Sequence, residues 1–322
     1  MLLLGSCDWQ QALRKPSTAP LRIWRYDRVQ DEFVSLNSYS ALQRMNTEFP
    51  IATKLLIEDV LAIGRVNEPR IEQRLRHYCL DSTVQVLFQD VHRTFSDVSD
   101  IQKELYQVFL ALKDADPSFR IPRLYTQISA LNQSIVIGDS IVGISLDKYL
   151  GADYPLYKSY YYPYQLRSMT RERIVPDVLI FYLMSEYPLR EEDSHAVLDH
   201  IIQCGKMNWI VARLRGNISM EDQIGFDQRH TDWCNNNVTK IWEWVYKEKV
   251  LESTEITMWK MLMQPREYTE GLGETSPDQI GLWLGVHVVN EFMKRNPNLS
   301  IGELLQMTDY RKIWQGSGYA QN

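Results

Sequence analysis

The sequence predicts a mainly α fold with a small β-sheet, an α+β arrangement, and three observations carry that expectation. Over most of the chain apolar residues recur every three to four positions, as in Ile51, Leu55, Leu56, Val60 and Ile63. Alternation of apolar and polar residues is confined to a few short runs, most of them between residues 122 and 147. Glycine and proline fall mainly between these segments. The composition suits a folded protein: of 322 residues, 44% are hydrophobic and 24% charged. That balance excludes a disordered, collagen-like or coiled-coil chain as the main architecture. With 35 Lys+Arg against 41 Asp+Glu, a net charge of −6 also counts against a general nucleic-acid binder, which needs cations to neutralise phosphates. No repeat of 20 to 50 residues is present.

In chain order, residues 21–34 (LRIWRYDRVQDEFV) alternate partly and predict a strand. Residues 51–63 predict a helix that Gly64 stops. Two or three further helices are expected over 68–114, ending before Pro117. Strands follow at 122–129, 134–137 and 141–147, with Gly138-Asp139 turning the last two into a hairpin. Helices are then expected at 178–184, 193–214, 231–250 and 280–295, with a short one at 301–307. No linker of domain scale follows Pro20, so residues 21–322 are expected to form a single domain.

The start of the chain has its own chemistry. Leu4-Gly5-Ser6-Cys7 is similar to a bacterial lipobox, in which small residues admit the signal peptidase before a cysteine that becomes diacylated. Residues 1–6 are read as the end of a truncated signal peptide, and residues 7–20, with Pro16, Ser17, Thr18 and Pro20, as a lipidated tether. A terminus with a chance cysteine is the alternative reading of these residues. Acyl chains on Cys7 would anchor the protein at about 0.8 kcal/mol per buried CH₂. No run of 18 apolar residues occurs, so no spanning helix is expected.

Motifs for chemistry are sparse. Cys79, Cys204 and Cys234 form no CxxC pair and no zinc-knuckle spacing, and are expected to be buried thiols. In SHAVLDHIIQCGK, His195 and His200 stand five apart, about 140° around a regular helix, so they would not share an ion as an HExxH pair does. No GxSxG elbow, Walker loop or GxGxxG turn is present. No catalytic residue, metal or cofactor is therefore expected. The tyrosine-dense run YPLYKSYYYPY (154–164) offers Tyr157, Tyr160, Tyr161 and Tyr162 as a glycan or partner surface; the alternative is a loop sealed by aromatic packing. Trp242 and Trp244 in KIWEWV lie two apart on a helix, so at least one is expected in the core.

Several segments together resemble one family. IVGISLDKYLGADYPLY (141–157) resembles the G-I-x-L-D-x-Y-L-G hallmark of the gliding-motility lipoprotein family GldB. The resemblance continues in order through LRIWRYDR, PDVLIFYLMSEYP, DHIIQCGKMNWI, KIWEWV and SPDQIGLWLGVHVVNEFM, and so covers nearly the whole chain. It implies an exported lipoprotein with Cys7 lipidated and with envelope proteins as partners; the resemblance leaves the membrane and face open, and the outer membrane, facing the periplasm, is the location expected. It also implies a distant likeness to zincin-type metallopeptidases. The strand ending at Ser145 would line a cleft, and the helix carrying Asp199 to Lys206 would replace the HExxH helix. This chain departs from a peptidase there, reading Asp199-His200-Ile201-Ile202-Gln203-Cys204-Gly205-Lys206. Asp147, Lys148, Tyr149, Asp199 and His200 are then candidates for a cleft that binds peptide or glycan without a metal. The simpler alternative has Asp147 capping its following turn and Lys148 in solvent. The expected function is non-catalytic binding or assembly of envelope machinery. A hydrolase with a noncanonical metal or carboxylate site, and a glycan-binding lipoprotein, are the alternatives.

Overall fold

The computed structural model describes residues 21–189 and 195–319. The lipobox, Cys7 and most of the tether lie outside them. Among the described residues the fold is mainly helical with one four-stranded sheet, as the periodicity predicts. No helix there is long and apolar enough to cross a membrane. The contacts cluster in two compact units. One comprises Met1–Gln107, Arg120–Tyr154 and Met169–Val178 in their described parts, and the other comprises Val108–Phe119, Pro155–Ser168 and Leu179–Asn322 likewise.

The first unit holds the sheet, made of β1 (Ile23–Arg25), β2 (Arg123–Gln127), β3 (Ile135–Gly138) and β4 (Ile141–Ser145) in the order β1-β2-β4-β3. β1 and β4 both run parallel to β2, while β3 pairs antiparallel with β4. Every residue of β4 is buried, as expected of a parallel strand covered on both faces. The predicted hairpin forms, but its turn is Asp139-Ser140 rather than Gly138-Asp139: Gly138 is the last residue of β3, opposite Ile141, and Ser140 takes the left-handed position at φ +57°. Gly143 of β4 faces Tyr125 of β2, and a Cβ there would lie 2.5 Å from the tyrosine ring. Only glycine fits.

The expected strand over 21–34 is corrected. Only Ile23–Arg25 is extended, and Tyr26–Ser35 is a helix. Tyr26, Val29 and Phe33 are buried at helical spacing, so the apparent alternation around Trp24 and Tyr26 belongs to the junction of two elements. The junction is pinned by Asp27, which accepts from Arg25 at 2.9 and 2.7 Å and from the Thr126 hydroxyl. The expected helix at 51–63 is an α-helix over Pro50–Leu55 that continues as a π turn over Leu56–Val60, and left-handed Ala62 follows. Three helices, Ile71–Cys79, Ser82–Thr94 and Ser99–Ala115, fill the segment where two or three were expected.

The second unit is built around the Val197–Leu214 helix, whose residues are buried almost all round, as in a central helix. It crosses the Ile280–Arg295 helix where Gly205 meets Gly285, backbone to backbone. The expected helix over 231–250 is two, Gln228–Asn236 and Val238–Lys247. Four short helices that the sequence does not predict, Pro163–Leu166, Met220–Ile224, Ile256–Met263 and Tyr310–Ser317, are four to eight residues long.

Candidate functional site

The hallmark segment leaves the sheet at Ser145 and turns through a 3-10 helix at Leu146–Lys148. Asp147 is wholly buried, and its carboxylate accepts from the Ser129 N–H at 2.9 Å and the Leu131 N–H at 2.7 Å. The Ser129 hydroxyl reaches both carboxylate oxygens, at 3.3 and 3.2 Å. Ala130, between those donors, and Leu131 are both left-handed, at φ +50° and +66°. That conformation is unfavourable for residues with a Cβ, and here it accompanies a turn whose first and third N–H groups, those of Ser129 and Leu131, meet one anion. The anion here is Asp147. Burial pushes its pKa upward, and the N–H donors oppose that shift. It therefore caps the turn of residues 129–131.

The neighbouring hallmark residues are engaged in the same way. Lys148 is half-buried and donates to the Leu131 carbonyl at 3.2 Å, so it is not a solvated side chain. Burial lowers its pKa. Tyr149 is buried and donates to Asp177 Oδ2 at 2.9 Å, while Arg173 reaches Asp177 Oδ1 at 3.2 Å. Gln127 donates to the Ser145 hydroxyl at 3.1 Å. Gly151 closes the segment at φ +115°, which L side chains rarely adopt. Hallmark residues thus fasten β4 to the 129–134 loop and to the stretch carrying Arg173 and Asp177.

Asp199 and His200 belong to the second unit, Asp147, Lys148 and Tyr149 to the first. His195 precedes the helix, whose N-cap is Ala196, so the premise that both histidines lie on one regular helix is corrected. Their rings are 5.9 Å apart. Asp199 accepts from the Ala196 N–H at 3.1 Å, completing the helix start, and lies 3.7 Å from His195 Nδ1. The His200 ring is 5.7 Å from that of Trp259, and burial lowers its pKa. Among the described residues no group of three or more His, Cys, Asp and Glu is placed to hold a metal ion. Burial pushes the thiols of Cys79, Cys204 and Cys234 up to about 12, which leaves them protonated at neutral pH.

Among the described residues Lys206 is a buried cation that the sequence reading does not single out. Lys206 on the Val197–Leu214 helix is 1% exposed and donates to the carbonyls of Met307 at 2.8 Å and Leu305 at 3.2 Å. Those carbonyls close the Ile301–Gln306 helix, and the Tyr310 ring lies 5.5 Å from the ammonium. The available signal was a lone lysine inside the apolar helical run DHIIQCGKMNWI. Burial lowers its pKa to about 8, against ~10.4 for a free lysine. The unfolded chain therefore binds more protons between these values, and this group's penalty is complete below pH 8 and relieved as pH rises toward 10. Lys206→Met is expected to remove that slope, on the order of 2–3 kcal/mol in all, when urea midpoints are compared from pH 7 to 9.5. The difference between parent and variant isolates Lys206, because burial raises tyrosines such as Tyr26, which slope the opposite way near pH 10. Parallel profiles would refute the assignment.

The tyrosine run divides. Tyr157 is wholly buried, with the Tyr161 ring edge-on at 5.8 Å, so Tyr157 belongs to the interior and not to a partner surface. Tyr160 and Tyr162 are 58% and 66% exposed, and Tyr162 stacks on Tyr164 at 5.4 Å. Trp242 and Trp244 are both half-buried: Trp242 stacks on Tyr319 at 4.7 Å, and Trp244 lies against Gly271.

A family model described as gliding motility protein GldB matches residues 8–321. Neither the curated proteins nor the solved structures contain a match to the chain.

Proposed function

Since the chain belongs to the gliding motility protein GldB family, we propose that it is an envelope lipoprotein whose folded part binds and helps assemble envelope machinery without catalysing a reaction. Cys7 carries the anchor, in the outer membrane and facing the periplasm. The observation that supports binding over catalysis is the state of Asp147. Its acceptor positions are taken by the Ser129 and Leu131 N–H groups and the Ser129 hydroxyl, and water does not reach it. A general base needs a free lone pair within reach of substrate. The same burial speaks against the carboxylate hydrolase reading, and the likeness to zincin peptidases rests on sequence alone. Exposed Tyr160 and Tyr162 offer flat faces with polar tips, suited to a protein or glycan partner.

The test is fractionation of cells that express the chain behind a complete export signal. Cys7→Ala is expected to move the protein from the membrane fraction to the soluble one. Continued sedimentation with the membrane would overturn the anchored reading.

A further inference from the structure

The first unit contains a cavity of about 200 Å³ that no hallmark residue touches. Its apolar wall is Leu42, Met45, Ile57, Val66, Ile71 and Leu75, contributed by the Tyr39–Thr47 helix, the π turn, the loop that follows it and the Ile71–Cys79 helix. A closed apolar cavity of about 150 Å³ holds a benzene ring, so by volume this one, apolar on one wall and polar at its edge, has room for an aromatic or large aliphatic side chain.

The surroundings are built rather than loose. A π turn is rare and often marks a functional position, and Ile57 inside it faces the cavity. The loop over 61–70 carries left-handed Ala62 and Arg70. It is held by Glu58 accepting from the Val66 N–H at 2.9 Å and by Arg74 donating to the Ile63 carbonyl at 2.6 Å. Strained backbone so firmly pinned gives a preformed pocket.

The polar edge selects the occupant. Glu68 on the wall is already paired with Arg74 at 3.0 Å. Glu72 also lines the cavity, is half-buried, and makes no hydrogen bond or ion pair among the described residues. Exposed Asn46 and Asn67 add amides that match a peptide backbone. One helical turn before Leu42, Tyr39 stands 83% exposed. From this geometry we infer that the cavity is a docking site for a segment of a partner protein, which inserts one large apolar side chain and sets an adjacent lysine or arginine against Glu72. The inference rests on the binding role proposed above and names the chemistry of one partner contact.

The probe is the peptide acetyl-Gly-Phe-Lys-Gly-amide, titrated into the ¹⁵N-labelled full chain. Saturable shifts are expected at amides of residues 42–46 and 66–75. Glu72→Gln is expected to weaken binding about fivefold, the upper range for a solvent-accessible ion pair. Val66→Phe, which fills the cavity, is expected to abolish it, with Leu42→Trp as the second filling variant if the first does not fold. Any of three results would overturn the site: no saturable shifts there, equal binding of acetyl-Gly-Ala-Lys-Gly-amide or acetyl-Gly-Phe-Glu-Gly-amide, or less than a twofold change with Glu72→Gln. Failure of this titration while Cys7→Ala still frees the protein from the membrane removes the pocket alone. Membrane retention of Cys7→Ala removes the envelope reading whatever the pocket binds.

Discussion

Replacing Gly285 by alanine is expected to lower the melting temperature by roughly 4–5 °C, the equivalent of about 3 kcal/mol at ~2.1 cal/mol/K of unfolding entropy per residue over the 322-residue chain. The reason is the helix crossing in the second unit. A Cβ on Gly285 would lie 2.3 Å from the Ile201 carbonyl oxygen, and one on Gly205 would lie 2.2 Å from the Gly285 carbonyl carbon. In both cases the obstacle is backbone, so no rotamer change relieves it. The helices would have to separate, exposing or loosening Ile201, Ile202, Leu284, Val288 and Val289, all of them at most 1% exposed. Overpacking in a core typically costs about 1–3 kcal/mol, and a rigid obstacle belongs at the upper end. Scanning calorimetry of Gly205→Ala and Gly285→Ala measures this directly. A shift below 2 °C in both would mean that the two helices do not meet at these residues.

Asp147→Ala is the second large effect, with an expected loss of about 3–5 kcal/mol in denaturant unfolding. Removal of the carboxylate leaves the Ser129 and Leu131 N–H groups without acceptors in a buried site. Each buried, unsatisfied donor costs about 1–3 kcal/mol. The left-handed pair Ala130 and Leu131 also loses the anion that holds it. Asp147→Asn is expected to fall between parent and alanine variant, because its amide oxygen accepts one N–H while its NH₂ opposes the other. Faster hydrogen exchange at the Leu131 amide in either variant would locate the damage. Were Asp147 instead a reacting group in a cleft, Asp147→Asn would leave stability and exchange unchanged.

These two positions also show how much of the molecule is legible before folding. The longer helices are, because a run such as Val197–Leu214 repeats its apolar residues over several turns. The β3–β4 hairpin is equally plain, since its turn and its short strands lie side by side in sequence. Tyr310–Ser317 was missed although its signals were present: Asp309 caps it by accepting from the Lys312 N–H, and Gly318 ends it at φ +86°. Two turns of helix are too short for periodicity to register, and only the caps announce it. The strand expected over 21–34 failed for the opposite reason, because alternation measured across a strand–helix junction mixes two periods.

The candidate site was legible as a segment but not as a role. The run from Gly143 to Gly151 stands out in the sequence, and the structure makes it consequential. Its aspartate, tyrosine and glycines are spent on holding the fold, which no spacing along the chain discloses. The parallel pairing of β1 with β2, across about a hundred residues, was likewise beyond local pattern.

By itself, then, the sequence determined the α+β class, the hairpin and the family, because these depend on residue order and on which face of each element is apolar. The tertiary structure alone decided that Asp147 faces backbone N–H groups, that Lys206 closes a distant helix, and that Gly205 meets Gly285. The physical reason is common to all three. Periodicity records which side of an element avoids water, whereas the partner that covers that side is chosen only when segments far apart in the chain compete for the same volume.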